Sequence, residues 1–164
     1  MKSKLVLATA TPAFLALAAC GALPTTGLAN AQQTAQNFNM DARLGRTEFC
    51  LEHVEGKNKE KFTKVHTAWG KKLRIVDSEV TTFKMGKDDE TADVDVQVSW
   101  YRPEYGDLHV TVLHQKWKAV SGDWFLSSED RIDGDTGLLG EHVEMEQPEA
   151  PAPNALFQTV RIGD

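Results

Sequence analysis

The clearest pattern along the chain is an alternation: Ala92, Val94, Val96, Val98 and Trp100 are separated by Asp93, Asp95, Gln97 and Ser99. A period of two predicts a strand with one apolar and one polar face. Upstream, Lys72 to Met85 is rich in β-branched and aromatic residues (Ile75, Val76, Val80, Thr81, Thr82, Phe83). Its uneven alternation predicts a strand with a bulge or bend. Gly86 to Glu90 reads as a turn, and Arg102 to Asp107, with Pro103 and Gly106, as a loop. Leu108 to Ala119 is then a third strand, and Ser121-Gly122 a two-residue hairpin turn before a fourth, Asp123 to Ser127.

Loop lengths predict the register. The 102–107 loop pairs Tyr101 with Leu108, and the hairpin turn pairs Val120 with Asp123. One face then collects Ala92, Val94, Val96, Val98, Trp100, Thr111, Leu113, Trp117, Ala119, Trp124 and Leu126. The other carries Asp93, Asp95, Gln97, Ser99, Lys116 and Lys118, with Val110, Val112 and Phe125 as apolar islands. Helices are expected over the first face, leaving the second wet.

Before the strands the period is helical. Met40, Leu44, Leu51 and Val54 fit one face of a helix from about Asn39 to Val54, with Gly56 as its stop. Phe62, Val65, His66 and Trp69 stripe a second helix, started at Asn58 and ended at Gly70. His66 on that stripe is read as a satisfied core histidine or one lining a cavity. Residues 20–37 are small and polar and read as a flexible tether. Glu129 to Gly137 reads as an acidic loop, and 138–164 as an acidic, proline-rich tail with an extended spacer at 147–153 and a strand-like end at 155–162, suited to a sheet edge or a partner. The expected class is α+β: two N-terminal helices on a curved four-stranded antiparallel meander, the domain spanning 38–137.

Length and composition agree with one such domain. The chain has 164 residues, 41% hydrophobic and 26% charged, which excludes a multidomain enzyme and a polytopic membrane protein. Residues 1–19 stand apart: Lys2 and Lys4 precede an apolar stretch, Leu5 to Ala19, too short to span a bilayer comfortably, the layout of a secretory signal. Its end, Leu17-Ala18-Ala19-Cys20, resembles a bacterial lipobox. The resemblance implies cleavage before Cys20, a diacylglycerol on its sulfur and fatty acylation (palmitate) of the new amine, a multi-chain anchor that holds where one chain would not. Gly21 stands where an inner-membrane retention signal would carry Asp, so the implied address is the outer membrane, facing the periplasm.

Removing the two lysines of the signal leaves sixteen basic residues against twenty-four acids, a charge of −8. That surface lacks the basic footprint of a nucleic-acid binder. With Cys20 lipidated, Cys50 has no partner in the chain and is read as a buried small hydrophobe.

Two stretches carry a further resemblance: Phe49-x-x-x-His53-Val54-Glu55-Gly56-Lys57-Asn58, and Val110-x-Val112-x-x-Gln115-x-Trp117-Lys118-x-x-Ser121-Gly122-x-Trp124-x-Leu126. They are similar to the helix entry and closing hairpin of the NTF2-like (cystatin-related, cone-shaped) family, over about residues 40 to 128. The resemblance implies a cone walled by the sheet and covered by helices, with Trp69, Trp100, Trp117, Trp124 and Gln115 on the ligand-binding or core face. Some members of the family are isomerases or dehydratases, for which His66 and His109 are the acid–base candidates here.

No cofactor is expected. Asp130, Asp133 and Asp135 resemble a calcium loop, but Gly137 and Leu138 stand where a ligand and the obligatory glycine would be. His109 and His114 point to opposite faces of one strand and cannot chelate together. The reading that follows is a membrane-anchored, non-catalytic envelope lipoprotein that binds a partner protein or a small apolar ligand, with a homodimer through the sheet left open. The alternatives are a small-molecule enzyme of the same fold and an outer-membrane assembly accessory lipoprotein. Four tryptophans in so small a domain predict a cone filled by its own side chains.

Overall fold

The computed structural model describes residues 27–142. The signal segment, Cys20 and the tail features at 147–153 and 155–162 lie outside the described residues. Among the described residues, helices α1 (Gly27–Arg43), α2 (Thr47–Glu52) and α3 (Lys59–Val65), the last entered through a 3-10 turn at Gly56–Asn58, precede four strands, β1 (Arg74–Met85), β2 (Thr91–Tyr101), β3 (Leu108–Val120) and β4 (Asp123–Gly134). The strands form one antiparallel sheet in the order β1-β2-β3-β4. None of the described helices is long and apolar enough to cross a membrane.

The sheet follows the alternation closely. Tyr101 pairs with Leu108 and Val120 with Asp123, as the loop lengths predict. Ser121 and Gly122 both take positive φ, 54° and 94°, the backbone of a type I′ hairpin turn. The expected apolar face is the core: Ala92, Val94, Val96, Val98, Trp100, Thr111, Leu113, Trp117, Trp124 and Leu126 are all buried, and Ala119 partly so. In β1 the uneven alternation corresponds to register shifts between Ile75 and Asp77 and between Val80 and Thr82.

Several expectations are corrected, among them the second helix, which ends at Val65 rather than Gly70 and leaves His66 and Trp69 beyond it. The stretch read as tether enters the fold: α1 begins at Gly27 and buries Ala31, Ala35, Phe38, Asn39 and Ala42. Its inner face is built mainly of alanines, which favour helix and let it lie close to the sheet but give little hydrophobic contrast. The helix expected over 39–54 is broken at Gly45, and Met40 and Leu44, assigned to its inner face, are 52% and 59% exposed. Gly45 has φ +70°, and a Cβ there would stand 2.8 Å from the Cα of Gly70, so the α1–α2 turn packs backbone to backbone on the turn before β1.

A further correction is β4, which runs to Gly134 and takes in most of the stretch read as an acidic loop. Register shifts opposite Lys116/Trp117 and Val112/Leu113 hide the strand period there. The folded unit continues past residue 137: Leu138 is buried and its carbonyl accepts the Trp69 indole N–H at 2.8 Å. Part of the outer edge of β4 is covered, since the Leu126 N–H donates to His53 O at 2.7 Å and the Glu55 N–H to Leu126 O at 3.0 Å.

Candidate functional site

Polar side chains on the core face converge at one place. Gln115 lies between Leu113 and Trp117 on β3, and α1 brings Asn39 over it. The chain leaving α3 brings His66, and the continued β4 brings Glu129. The Asn39 amide donates to Gln115 Oε1 at 3.1 Å, and the Gln115 amide donates to Asn39 Oδ1 at 2.9 Å and to Glu129 Oε1 at 2.8 Å. His66 Nε2 is 2.6 Å from Glu129 Oε2, with the two side chains 3% and 4% exposed. His66 Nδ1 donates to Phe62 O at 2.8 Å, the Asn39 amide also to Ala35 O at 2.8 Å, and the Trp117 indole to Gln115 Oε1 at 3.3 Å.

Burying so many polar groups costs free energy unless each finds a partner. Here each does: among the described residues no buried side-chain nitrogen or oxygen is left without a hydrogen bond. The imidazole is further held by Phe62, stacked at 3.8 Å, and by Trp69, edge-on at 4.1 Å. Both its ring nitrogens are engaged, so neither faces an opening with a free lone pair.

The space around the pair is small. One cavity of about 50 Å³ touches His66, Glu129, Phe62 and Leu126, and a depression of about 190 Å³ touches His66 together with Thr47, Leu51 and Lys71. Small-molecule sites run to roughly 300–1,000 Å³. The interior that a cone would leave open is occupied by the tryptophans: Trp69, Trp100, Trp117 and Trp124 are buried, and Phe38 packs edge-on against Trp117 at 5.3 Å.

His109 is not part of this cluster. It lies six residues from Gln115 along β3, a separation of about 20 Å. There it stacks on Trp100 at 4.5 Å, with Nδ1 3.4 Å from Asp135 Oδ2. The structure therefore does not bring the two acid–base candidates together. Nor do the three aspartates converge: Asp130 pairs with His114 across the ladder, Asp133 Oδ1 accepts the Gly134 N–H, and Asp135 Oδ2 accepts the Val110 N–H at 2.9 Å. No group of three or more His, Cys, Asp or Glu among the described residues is placed to hold a metal ion.

Cys50 is buried under α1, its thiol 3.6 Å from Phe38 O. Burial, helped by the charges of Asp41, Glu129 and Glu48, pushes the thiol up to about 12. A group with so little thiolate is no nucleophile.

Two clusters were not foreseen. The Glu129 side of the buried network depends on β4 continuing as a strand. On the wet face, His114 sits between two carboxylates, Nδ1 2.7 Å from Asp95 Oδ1 and Nε2 3.1 Å from Asp93 Oδ1. The register that pairs Asp95 with His114 was the available signal for that second cluster.

No family model matches the chain, and no curated protein matches it. Among solved structures it is similar to the solution structure of a SEC-C motif containing protein from Rhodopseudomonas palustris, at 15% identity and a TM-score of 0.49, over 57% of this chain and 72% of the other. It is also similar to the crystal structure of the intermembrane space region of the chloroplast protein ARC6, at 10% identity and a TM-score of 0.41, over 66% of this chain and 98% of that one. At these scores the likeness says nothing about function.

Proposed function

We propose that this chain is a lipid-anchored lipoprotein of the bacterial cell envelope, held at the outer membrane through Cys20, whose NTF2-like α+β domain works by binding a partner protein rather than by catalysis. The observation that carries the non-catalytic half is the filled interior. Four buried tryptophans occupy it, and the histidine–carboxylate pair buried there spends both ring nitrogens on internal bonds. A general base needs a free lone pair within reach of a substrate proton, and His66 offers none.

The anchoring half rests on the basic start, the short apolar stretch and the lipobox-like Leu17-Ala18-Ala19-Cys20. The NTF2-like reading rests on helices followed by a meander and on the closing hairpin Gln115-x-Trp117 to Trp124-x-Leu126. A partner would find exposed apolar groups at the β2–β3 end of the molecule, where Tyr105, Leu108 and Val110 all reach solvent.

Affinity capture from detergent-solubilised membranes tests the binding half. The wild-type chain is expected to retain a defined envelope protein that a Leu108→Asp, Val110→Asp variant releases. Retention of nothing but a second copy of the chain would replace the partner by a homodimer through the sheet. Retention of no protein at all would remove the protein-binding reading.

A further inference from the structure

The anchor point and the fold together limit how the domain can sit on a membrane. Seven residue steps separate Cys20 from Gly27, the first residue of α1. Even fully extended they reach no more than about 25 Å. The start of α1 is fixed to one end of the sheet, because the Asn30 amide donates to Gly122 O in the β3–β4 hairpin at 3.2 Å. The β1–β2 turn lies at that same end, where the Ala119 N–H donates to Glu90 O at 2.7 Å. From Val120 to Leu108 the strand β3 runs about 40 Å to the opposite end. A leash of about 25 Å cannot reach round a body of about 40 Å, so the molecule cannot turn over.

The tethered end presents two exposed apolar side chains, Leu28 and Val120, each 45% exposed. It also carries Asp88, Asp89, Glu90 and Asp123 against Lys87 and Lys118, a balance that an anionic surface would repel. We infer that the end formed by the first turn of α1, the β1–β2 turn and the β3–β4 hairpin faces a zwitterionic lipid surface, with Leu28 and Val120 at its headgroup region, and that the end carrying Tyr105 and Leu108 projects away from the bilayer. The exposed Leu108, 63% accessible, is thereby presented to partners in the aqueous compartment instead of to lipid. This inference rests on the lipoprotein reading.

The test uses the full lipidated chain in phosphatidylcholine vesicles containing a headgroup spin-labelled lipid. A fluorophore is attached at Val120→Cys, at Leu28→Cys or at Leu108→Cys. All three positions are exposed, and Cys50 is buried and does not compete for label. The expected result is strong quenching at 28 and 120 and none at 108. Equal quenching at all three positions, quenching at 108 alone, or quenching at none on vesicle-bound protein overturns the orientation while leaving the anchor intact. A chain that does not float with the vesicles removes the lipoprotein reading and this inference with it.

Discussion

Glu129 holds two groups that would otherwise be buried without partners, the His66 ring nitrogen and the Gln115 amide. Breaking one side of a buried charge-bearing pair costs about 3–5 kcal/mol, more than replacing both sides by apolar groups. Urea titration should therefore show Glu129→Leu destabilised by about that amount. A double variant, His66→Phe with Glu129→Leu, should recover much of the loss, whereas equal or greater loss in the double variant would mean that the pair itself stabilises the core. The residue scale also makes Cys50 informative. With its thiol raised to about 12 by burial, it should resist a disulfide reagent at pH 8 in the folded protein and react once denatured. Because the folded-state value lies above the unfolded one of about 8.5, the contribution of Cys50 is complete below that pH and is lost as pH rises above it. The stability gap between wild type and Cys50→Ala should narrow between pH 8 and 10.

Elements differed in how legibly they were written. β2 and β3 could be read with their register because one pairing keeps the apolar residues of three strands on one face, and Trp100, Trp117 and Trp124 fell on the face assigned to them. α1 was hidden because Ala31, Ala35 and Ala42 carry little hydrophobic contrast, although they bury the helix well. The far half of β4 was hidden by two register shifts and a run of acids, and with it went the Glu129 arm of the network, a contact reaching 63 residues along the chain to His66. That half of β4 ends at Gly134, with φ +79°, where a Cβ would collide with Val110 O. Gly134→Ala should lower stability by about 1–3 kcal/mol and raise amide exchange selectively over 130–134, a cost typical of strain forced on a left-handed position. Beyond it the chain is tied by Glu141, which accepts the Gly137 and Leu139 N–H groups at 3.0 and 2.9 Å and a bond from Arg131. Partial desolvation opposes ionisation there, yet the backbone N–H donors and Arg131 together hold the carboxyl below the ordinary carboxylate range. Its contribution is thus present above the unfolded value of about 4.3 and is lost as pH falls through the depressed folded value. The difference in stability between wild type and Glu141→Gln should be largest near neutrality and vanish in acid.

For the whole molecule, the fold separates the two acid–base candidates, His66 in the buried network and His109 stacked on Trp100. His66 is closed in, His109 lies about 20 Å from Gln115 along β3, and His114 sits with Asp93 and Asp95 on the outer face of the sheet. On the proposed lipoprotein reading, a short leash joins a filled core and an exposed apolar end, which suits a protein that presents a surface at a fixed side of a membrane. That account stands or falls on the anchor. The most direct measurement is the intact mass of the chain extracted from the membranes of bacteria expressing it. The account predicts a polypeptide beginning at Cys20 and heavier than its sequence by a diacylglycerol and a fatty acyl group, with the addition lost in Cys20→Ala. A chain cleaved elsewhere, or one beginning at Cys20 with a free thiol and no added mass, would contradict it.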